Sequence, residues 1–179
     1  MSTVLVTGAT GLVGSRLLPR LAEAGFDCRA LVRRDVTLPA DTTGVRGDLG
    51  DPGSLREAVE GVEAVVHLAA LFRTGDETAI WRANRDGSHH LIDAVKAYAP
   101  QARFVMASTG NVYDHAALRP GREDDAATPT AAYPASKLAA EALLRDSGLT
   151  TGSSAARPTP RSGCPRIGPA RRRSRPRRR

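Results

Sequence analysis

Two side chains in the second half of the chain have the spacing needed for acid–base chemistry. Tyr133 and Lys137 stand four residues apart in a stretch of helix-forming residues, and at that spacing they would lie one turn apart on the same helix face. The ammonium group can lower the pKa of the phenol from about 10 toward neutrality. Tyr133 could then act as acid or base toward a hydroxyl or carbonyl group. The alternative is an exposed amphipathic pair.

A second pattern, near the N-terminus, could hold a phosphate group. A short apolar run leads into three glycines at three-residue spacing, Gly8, Gly11 and Gly14. Gly8 can adopt a positive φ, and Gly11 leaves room for a pyrophosphate at the amides of a helix that begins near Leu12. Gly14 lets that helix pack close to its strand. A structural turn is the alternative, but the position between a strand and a helix favours nucleotide binding.

Alternating strands and helices would position both patterns. The strands are almost continuously apolar, which is typical of a parallel sheet covered on both faces, so the sequence predicts a doubly wound α/β dinucleotide-binding fold. Cys28 is expected to be a small core residue. The predicted strands are Thr3–Thr7, Asp27–Val32, Val45–Asp48, Ala64–Leu68 and Arg103–Ser108, and the predicted helices are Leu12–Ala24, Pro52–Val59, Ile80–Tyr98 and 132–144.

Length and composition exclude several classes of protein. The 179 residues can form one domain with a core, and no stretch approaches the roughly 18 apolar residues of a membrane span. The N-terminus leads directly into the first strand without the features of a signal peptide, so a cytoplasmic protein is expected. The two cysteines and four histidines are scattered, which argues against a disulfide framework or a metal site.

The net charge of +7 comes from the last part of the chain. Residues 1–150 hold 16 Lys or Arg and all 19 Asp and Glu, whereas residues 151–179 hold ten arginines, five prolines and no acidic residue. We expect that tail to be disordered, because it cannot bury enough apolar surface to offset its ordering entropy. It would bind polyanions at low salt. It has no aromatic residue for base stacking, so specific nucleic-acid binding is not expected.

Five separated motifs, spread over about the first 150 residues, resemble those of the extended short-chain dehydrogenase/reductase family. That family contains NAD(P)-dependent sugar-nucleotide epimerases and dehydratases and their reductase relatives. Each motif follows a predicted strand or lies on the last helix, where ligands bind in such folds. The motifs are Thr7–Gly14, Gly47–Leu49, His67–Ala70, Ser108-Thr109 with Val112-Tyr113, and Tyr133–Lys137.

The resemblance implies roles for individual residues. Thr109, four residues before the Val-Tyr tyrosine, would bond the reacting oxygen, Tyr133 would be the acid or base, and Lys137 would also hold the nicotinamide ribose. Dehydratases of the family carry an acidic pair where this chain has Gly110-Asn111, so epimerisation or redox chemistry is favoured over dehydration. Among the cofactor-binding residues that the resemblance implies, Asp48 and Leu49 match residues that contact the adenine, and Asn84 matches an asparagine that shapes the active site. The full implied set is Gly8, Thr10, Gly11, Leu12, Val13, Arg33, Asp48, Leu49, Leu68, Ala69, Ala70, Asn84, Tyr133 and Lys137.

The end of the second strand favours NADP over NAD. NAD-preferring relatives place an acid here for the ribose 2′-hydroxyl, whereas Arg suits a 2′-phosphate. This chain has Arg33-Arg34, with Asp35 beyond the usual position, and Arg33 matches the arginine of NADP-using relatives. Two solvated surface charges are the alternative.

The chain departs from the family after Leu149. Relatives continue into an apolar sixth strand and a substrate-binding lobe, but here residues 152–158 are small, polar or basic. Arg, Pro, Ala, Gly and Ser have GC-rich codons, so we hypothesise that 151–179 is a frameshifted readout after a domain of 1–150. Three functions are then considered. The first is an oxidoreductase or epimerase for a nucleotide sugar or small carbonyl or alcohol substrate, and the second is a cofactor-binding fragment without useful turnover. The third is polyanion binding through the arginine tail. Relatives often pair through the helices around Asn84 and Tyr133, which predicts a homodimer unless a bare sheet edge aggregates.

Overall fold

A sheet of five parallel strands forms the centre of the protein. The computed structural model describes residues 2–113, 122 and 124–151. All four strand pairings are parallel, in the order β3-β2-β1-β4-β5. This confirms the predicted doubly wound architecture, in which the chain starts at the middle strand. The strands are Thr3–Thr7 (β1), Asp27–Val32 (β2), Thr42–Arg46 (β3), Ala64–His67 (β4) and Arg103–Met106 (β5).

Helices cover both faces of the sheet because successive strand side chains point to opposite faces. Val4 and Val6 of β1 belong to one core cluster with Leu18, and Leu5 belongs to a second cluster with Leu91. Cys28 is buried in the first cluster, as predicted. The helices are Gly14–Glu23 (α1), Arg56–Val59 (α2, preceded by a 3-10 turn at Pro52–Leu55), Glu77–Trp81 (α3), Gly87–Tyr98 (α4) and Ala132–Asp146 (α5), with a π-helical turn at Arg82–Asp86 and a 3-10 turn at Gly110–Val112.

Helix α1 begins at Gly14 rather than at the predicted Leu12. The glycine turn is longer than the pattern suggested, because the Gly11 amide first donates to the Gly8 carbonyl at 3.0 Å. The Gly11 carbonyl then accepts from the Ser15 amide at 2.9 Å. Leu12 and Val13 therefore lie in the turn ahead of the helix, with most of their side-chain surface exposed.

Two further predicted elements begin at other residues than expected. Strand β3 lies three residues before the expected start, because Val45 is its only large apolar residue and its position is set by pairing with Leu31 of β2. The predicted helix from Ile80 begins at Glu77, where the Asp76 carboxylate caps it by accepting from the Ala79 amide at 2.9 Å. That helix is also divided by the π-helical turn.

The described chain ends beside β5. The Phe104 amide donates to the Thr150 carbonyl at 2.8 Å, and Phe104 forms a parallel bridge with Thr151. Thr151 is the first residue of the predicted disordered and frameshifted tail of 151–179, and the rest of that tail, residues 152–179, lies outside the described residues. Within the described ranges, no helix is both long enough and apolar enough to cross a membrane.

Candidate functional site

The glycine turn after β1 is in close backbone contact with the residues that follow β4. Gly8 has a φ of +69°, the positive value predicted from the sequence. A Cβ on Gly8 would lie 2.7 Å from the Ala69 nitrogen, and one on Gly14 would lie 2.4 Å from the Gly8 carbonyl oxygen. Backbone atoms occupy both positions, so only glycine fits at either. By contrast, a Cβ on Gly11 would approach only the Gly8 oxygen, at 3.2 Å.

The outer side of the glycine turn is open. The side chains from Thr10 to Val13 are exposed, and no side chain caps the N-terminus of α1. Among the described residues, no hydrogen bond is made by the amides of Leu12 and Val13. Uncapped amides at a helix N-terminus favour a negatively charged ligand such as phosphate.

The residues predicted to contact adenosine lie beyond β2 and β3. Arg33 is exposed and makes no ion pair with a described residue. The Asp48 carboxylate accepts from the Gly50 amide at 2.8 Å, so one of its oxygens already holds the local turn. Leu49 is half-buried against the core, and a Cβ on Gly87 would lie 3.0 Å from the Leu49 Cβ.

Tyr133 and Lys137 lie on the first turns of α5. Tyr133 is half-buried, and its ring packs against Phe72 with centroids 5.6 Å apart. Lys137 is 2% exposed, so the alternative of an exposed amphipathic pair is wrong. Burial lowers the pKa of the Lys137 ammonium, and the nearby Glu141 carboxylate opposes that shift.

The segment after β5 reaches α5 through Ser108 and Thr109. The Ser108 hydroxyl donates to the Glu141 carboxylate, one helical turn beyond Lys137. Thr109 is half-buried and caps the Gly110–Val112 turn, because its Oγ1 accepts from the Asn111 amide at 3.3 Å. That turn contacts α5. The turn that follows Thr109 therefore lies against α5, the helix that carries Tyr133 and Lys137.

Asn84 ties this region to the segment after β4. Its side chain is fully buried in the π-helical turn and forms two hydrogen bonds with the Leu71 backbone. It accepts from the Leu71 amide at 2.7 Å and donates to the Leu71 carbonyl at 2.9 Å. Nδ2 also donates to Ser136 Oγ at 3.1 Å, and Ser136 donates to the Tyr133 carbonyl at 2.7 Å. Asn84 thus supports the Tyr133 end of α5.

His67 is a buried polar residue whose importance was missed in the sequence analysis, where it served only to mark a motif. Its Nδ1 lies 2.6 Å from Thr7 Oγ1, and its Nε2 lies 2.9 Å from Ser88 Oγ. Burial, with a smaller contribution from Lys137, lowers the pKa of the imidazole to about 3. The signal in the sequence was a histidine at the end of an otherwise apolar strand.

The candidate site extends along the carboxyl edge of the sheet. Gly8 and Ala69 touch at its centre, and Tyr133 and Lys137 lie on the β5 side. Arg33 follows β2, on the opposite side of β1, and no contact within the described ranges joins it to Tyr133. Among the described residues, no three His, Cys, Asp or Glu side chains are placed to hold a metal ion.

A parallel α/β sheet with a glycine turn after its first strand and a Tyr–Lys pair at the same edge defines a nucleotide-binding fold of the short-chain dehydrogenase/reductase type. Comparison with known proteins agrees with this class. Residues 4–160 match the NAD dependent epimerase/dehydratase family, and the chain belongs to that family.

Individual relatives differ in the reactions that their names describe. The chain is 34% identical over 160 residues to a UDP-glucose 4-epimerase from Azospirillum brasilense. The aligned region covers 83% of this chain and 45% of the epimerase. It is 36% identical over 110 residues to a ceramide reductase from Caulobacter vibrioides, covering 59% of this chain and 34% of the reductase.

A solved structure of similar fold holds both a cofactor and a nucleotide sugar. The structure of MoeE5 with UDP-glucuronic acid and NAD has a TM-score of 0.73 and 34% identity, covering 82% of this chain and 49% of MoeE5. The chain therefore spans about half or less of the length of these three relatives.

Proposed function

We propose that this chain is an NAD(P)-dependent oxidoreductase or epimerase that acts on a nucleotide sugar or a small carbonyl or alcohol substrate. The observation that carries the proposal is the burial of Lys137 one turn from Tyr133, at the sheet edge that also carries the glycine turn. A lysine is rarely buried without a functional or structural partner. The UDP-glucose 4-epimerase among the named relatives supports the nucleotide-sugar class.

Tyr133 would transfer the proton at the substrate oxygen. It is half-buried beside Phe72, so one side of the phenol is shielded from water. The Lys137 ammonium would favour the phenolate, because an adjacent positive charge stabilises the deprotonated form. Thr109 would donate a hydrogen bond to the reacting oxygen from the segment after β5.

The residues of the glycine turn fit a dinucleotide. Gly8 and Gly14 leave no space for side chains, and the amides of Leu12 and Val13 would bind the pyrophosphate. Thr10 and Gly11 would line the same turn, Asp48 and Leu49 would meet the adenine, and the segment Leu68–Ala70 with Asn84 would lie along the nicotinamide half. The bound nicotinamide would accept or supply the hydride.

A preference for NADP over NAD is the finer part of this proposal. Arg33 is exposed and free of ion pairs among the described residues, so its guanidinium is available to a 2′-phosphate. Titration of NADPH and NADH against Trp81 fluorescence should show tighter NADPH binding. Arg33→Ala should remove a charge-assisted hydrogen bond of about 1.5 to 3 kcal/mol, whereas Arg145→Ala, at the far end of α5, should not. Equal affinities in the parent protein would refute the preference.

Turnover tests the proposal as a whole. Interconversion of UDP-glucose and UDP-galactose and oxidation of NADPH by small carbonyl compounds are the two assays. Tyr133→Phe should abolish any turnover while NADPH binding stays measurable. Tyr98→Phe is the matched control, because Tyr98 is 44% exposed on α4 and its ring contact with Arg56 survives the change. A rate that is unchanged in Tyr133→Phe would overturn the assignment of the acid–base group.

Cofactor binding without useful turnover is the second candidate. Saturable NADPH binding together with rates far below the ordinary range of about 1 to 1,000 per second would select it. The homodimer and the cytoplasmic location stay predictions, the first of which is tested by sedimentation.

A further inference from the structure

Most buried polar residues of the described part of the chain are linked by hydrogen bonds in one series, in which Asn84 takes part through both its backbone carbonyl and its side-chain amide. Six polar or charged side chains are buried among the described residues, and all except Lys137 belong to that chain of hydrogen bonds. It begins at the end of β1, crosses β4 and α4, and ends at the start of α5. Its members, in order, are Thr7, His67, Ser88, Asn84 and Ser136, and its last acceptor is the Tyr133 carbonyl.

The protons of this chain have only one consistent arrangement. Ser88 donates its single proton to the backbone carbonyl oxygen of Asn84, so its own oxygen can only accept from His67. His67 Nε2 therefore carries a proton. In the neutral ring Nδ1 is then an acceptor, and Thr7 donates to it at 2.6 Å. Thr7 Oγ1 in turn accepts from the Ala69 amide at 3.3 Å.

The surroundings of His67 favour the neutral ring. The groups that face it are Thr7 from β1, Ser88 from α4, the edge-on ring of Phe104 from β5 at 6.1 Å, and the Lys137 ammonium from α5. No carboxylate is among them. A second proton on the ring would compete with the Thr7 hydroxyl proton and would face the positive charge of Lys137.

We propose that His67 is a positioning residue that holds the glycine turn after β1 and the Tyr133 end of α5 in a fixed relation, through a buried chain of hydrogen bonds whose protons all point from β1 toward α5. The inference rests on the proposed function only for the roles of the two ends. One end is the turn that would bind phosphate, and the other is the helix that would carry the acid–base group. His67 itself touches neither substrate nor cofactor.

The proton arrangement is tested by NMR on the whole chain labelled with ¹⁵N-histidine. The His67 ring should remain in the neutral Nε2–H form from pH 5 to pH 9. Its signals are assigned by their loss in His67→Gln, or by elimination with variants of the other three histidines. An Nδ1–H tautomer, or a ring that titrates between pH 5 and pH 7, would overturn the proposal.

Two substitutions separate the two ends of the chain. The amide of His67→Asn can replace Nδ1 and keep the bond to Thr7, whereas that of His67→Gln can replace Nε2 and keep the bond to Ser88. Hydrogen exchange at two amides gives the readout: Ala69, which donates to Thr7, and Leu71, which donates to Asn84. His67→Asn should speed exchange at Leu71 and His67→Gln at Ala69, each by several-fold to about tenfold.

The crossed pattern distinguishes positioning from packing. A role in packing alone predicts equal acceleration at both amides in both variants, and that result would refute the inference. His89→Gln, which changes an exposed histidine, should alter neither amide. NADPH affinity adds a functional readout: His67→Gln should weaken it several-fold, and His67→Asn should change it by less than about twofold. If the parent protein fails to bind NADPH, the proposed function fails while the exchange pattern still decides the role of His67.

Discussion

Acidification should destabilise this protein because His67 is buried in its neutral form. The folded imidazole has a pKa of about 3, against 6.5 for the ordinary group, because the ring is fully buried and lies near Lys137. Between pH 6.5 and pH 3, His67 is therefore protonated in the unfolded chain but neutral in the folded chain. The free energy of unfolding must then fall as the pH falls through that window.

The size of the effect follows from the two pKa values. At pH 5.5 an unfolded histidine is about 90% protonated and the folded one is almost entirely neutral, which lowers the free energy of unfolding by about 1.4 kcal/mol. At pH 7.5 the same contribution is below about 0.1 kcal/mol. Burial lowers the pKa of the Lys137 ammonium and raises that of the Cys28 thiol, so the contribution of His67 is taken as the difference between the parent protein and His67→Gln.

Urea unfolding at pH 5.5, 6.5 and 7.5 and constant ionic strength measures this difference, with helix circular dichroism as the signal. The parent protein should lose stability toward pH 5.5, and His67→Gln should lose about 1.4 kcal/mol less over the same interval. His89→Gln, at an exposed position, should behave like the parent. Parallel pH profiles for the parent and His67→Gln would refute the reasoning.

Three other substitutions probe the site. Gly14→Ala places a Cβ 2.4 Å from the Gly8 oxygen and should destabilise the protein by about 1 to 3 kcal/mol, whereas Gly75→Ala, with open space around it, should be neutral in the same urea titration. Asn84→Ala leaves both polar groups of the Leu71 backbone without their partner and should lose about 2 to 4 kcal/mol, while a loss equal to that of exposed Asn111→Ala would contradict the bridging role. Lys137→Met removes a buried ammonium and should raise the melting temperature at pH 7 while abolishing turnover; a lower melting temperature would show that the charge is stabilising.

The strands next to β1 could be predicted because their patterns are local. Thr3–Thr7 and Asp27–Val32 have the predicted bounds, since each is an apolar run that begins or ends beside turn-forming residues. Strand β3 was misplaced because its sequence has little apolar character of its own. Its position depends on pairing with β2, and that information lies outside the strand.

The parts of the site that were missed depend on contacts between distant residues. Nothing in the local pattern indicates the π-helical turn, which lets Asn84 reach both Leu71 and Ser136. His67 likewise takes its importance from Thr7, 60 residues earlier, and Ser88, 21 residues later. The spacing of Tyr133 and Lys137 was readable because both lie on one helix.

The position of β1 at the centre of the sheet sets an order of events during synthesis. Val6 pairs with Ala30 on one side and with Val66 on the other. Strand β1 can pair with β2 soon after β2 leaves the ribosome. Its other neighbour, β4, is complete only at His67, 35 residues after Val32. At about 5 to 20 residues per second the free edge of β1 waits roughly 2 to 7 s for its second neighbour. During that interval the nascent chain presents an apolar strand edge to other chains, so slow translation of residues 33–67 should increase aggregation of this protein.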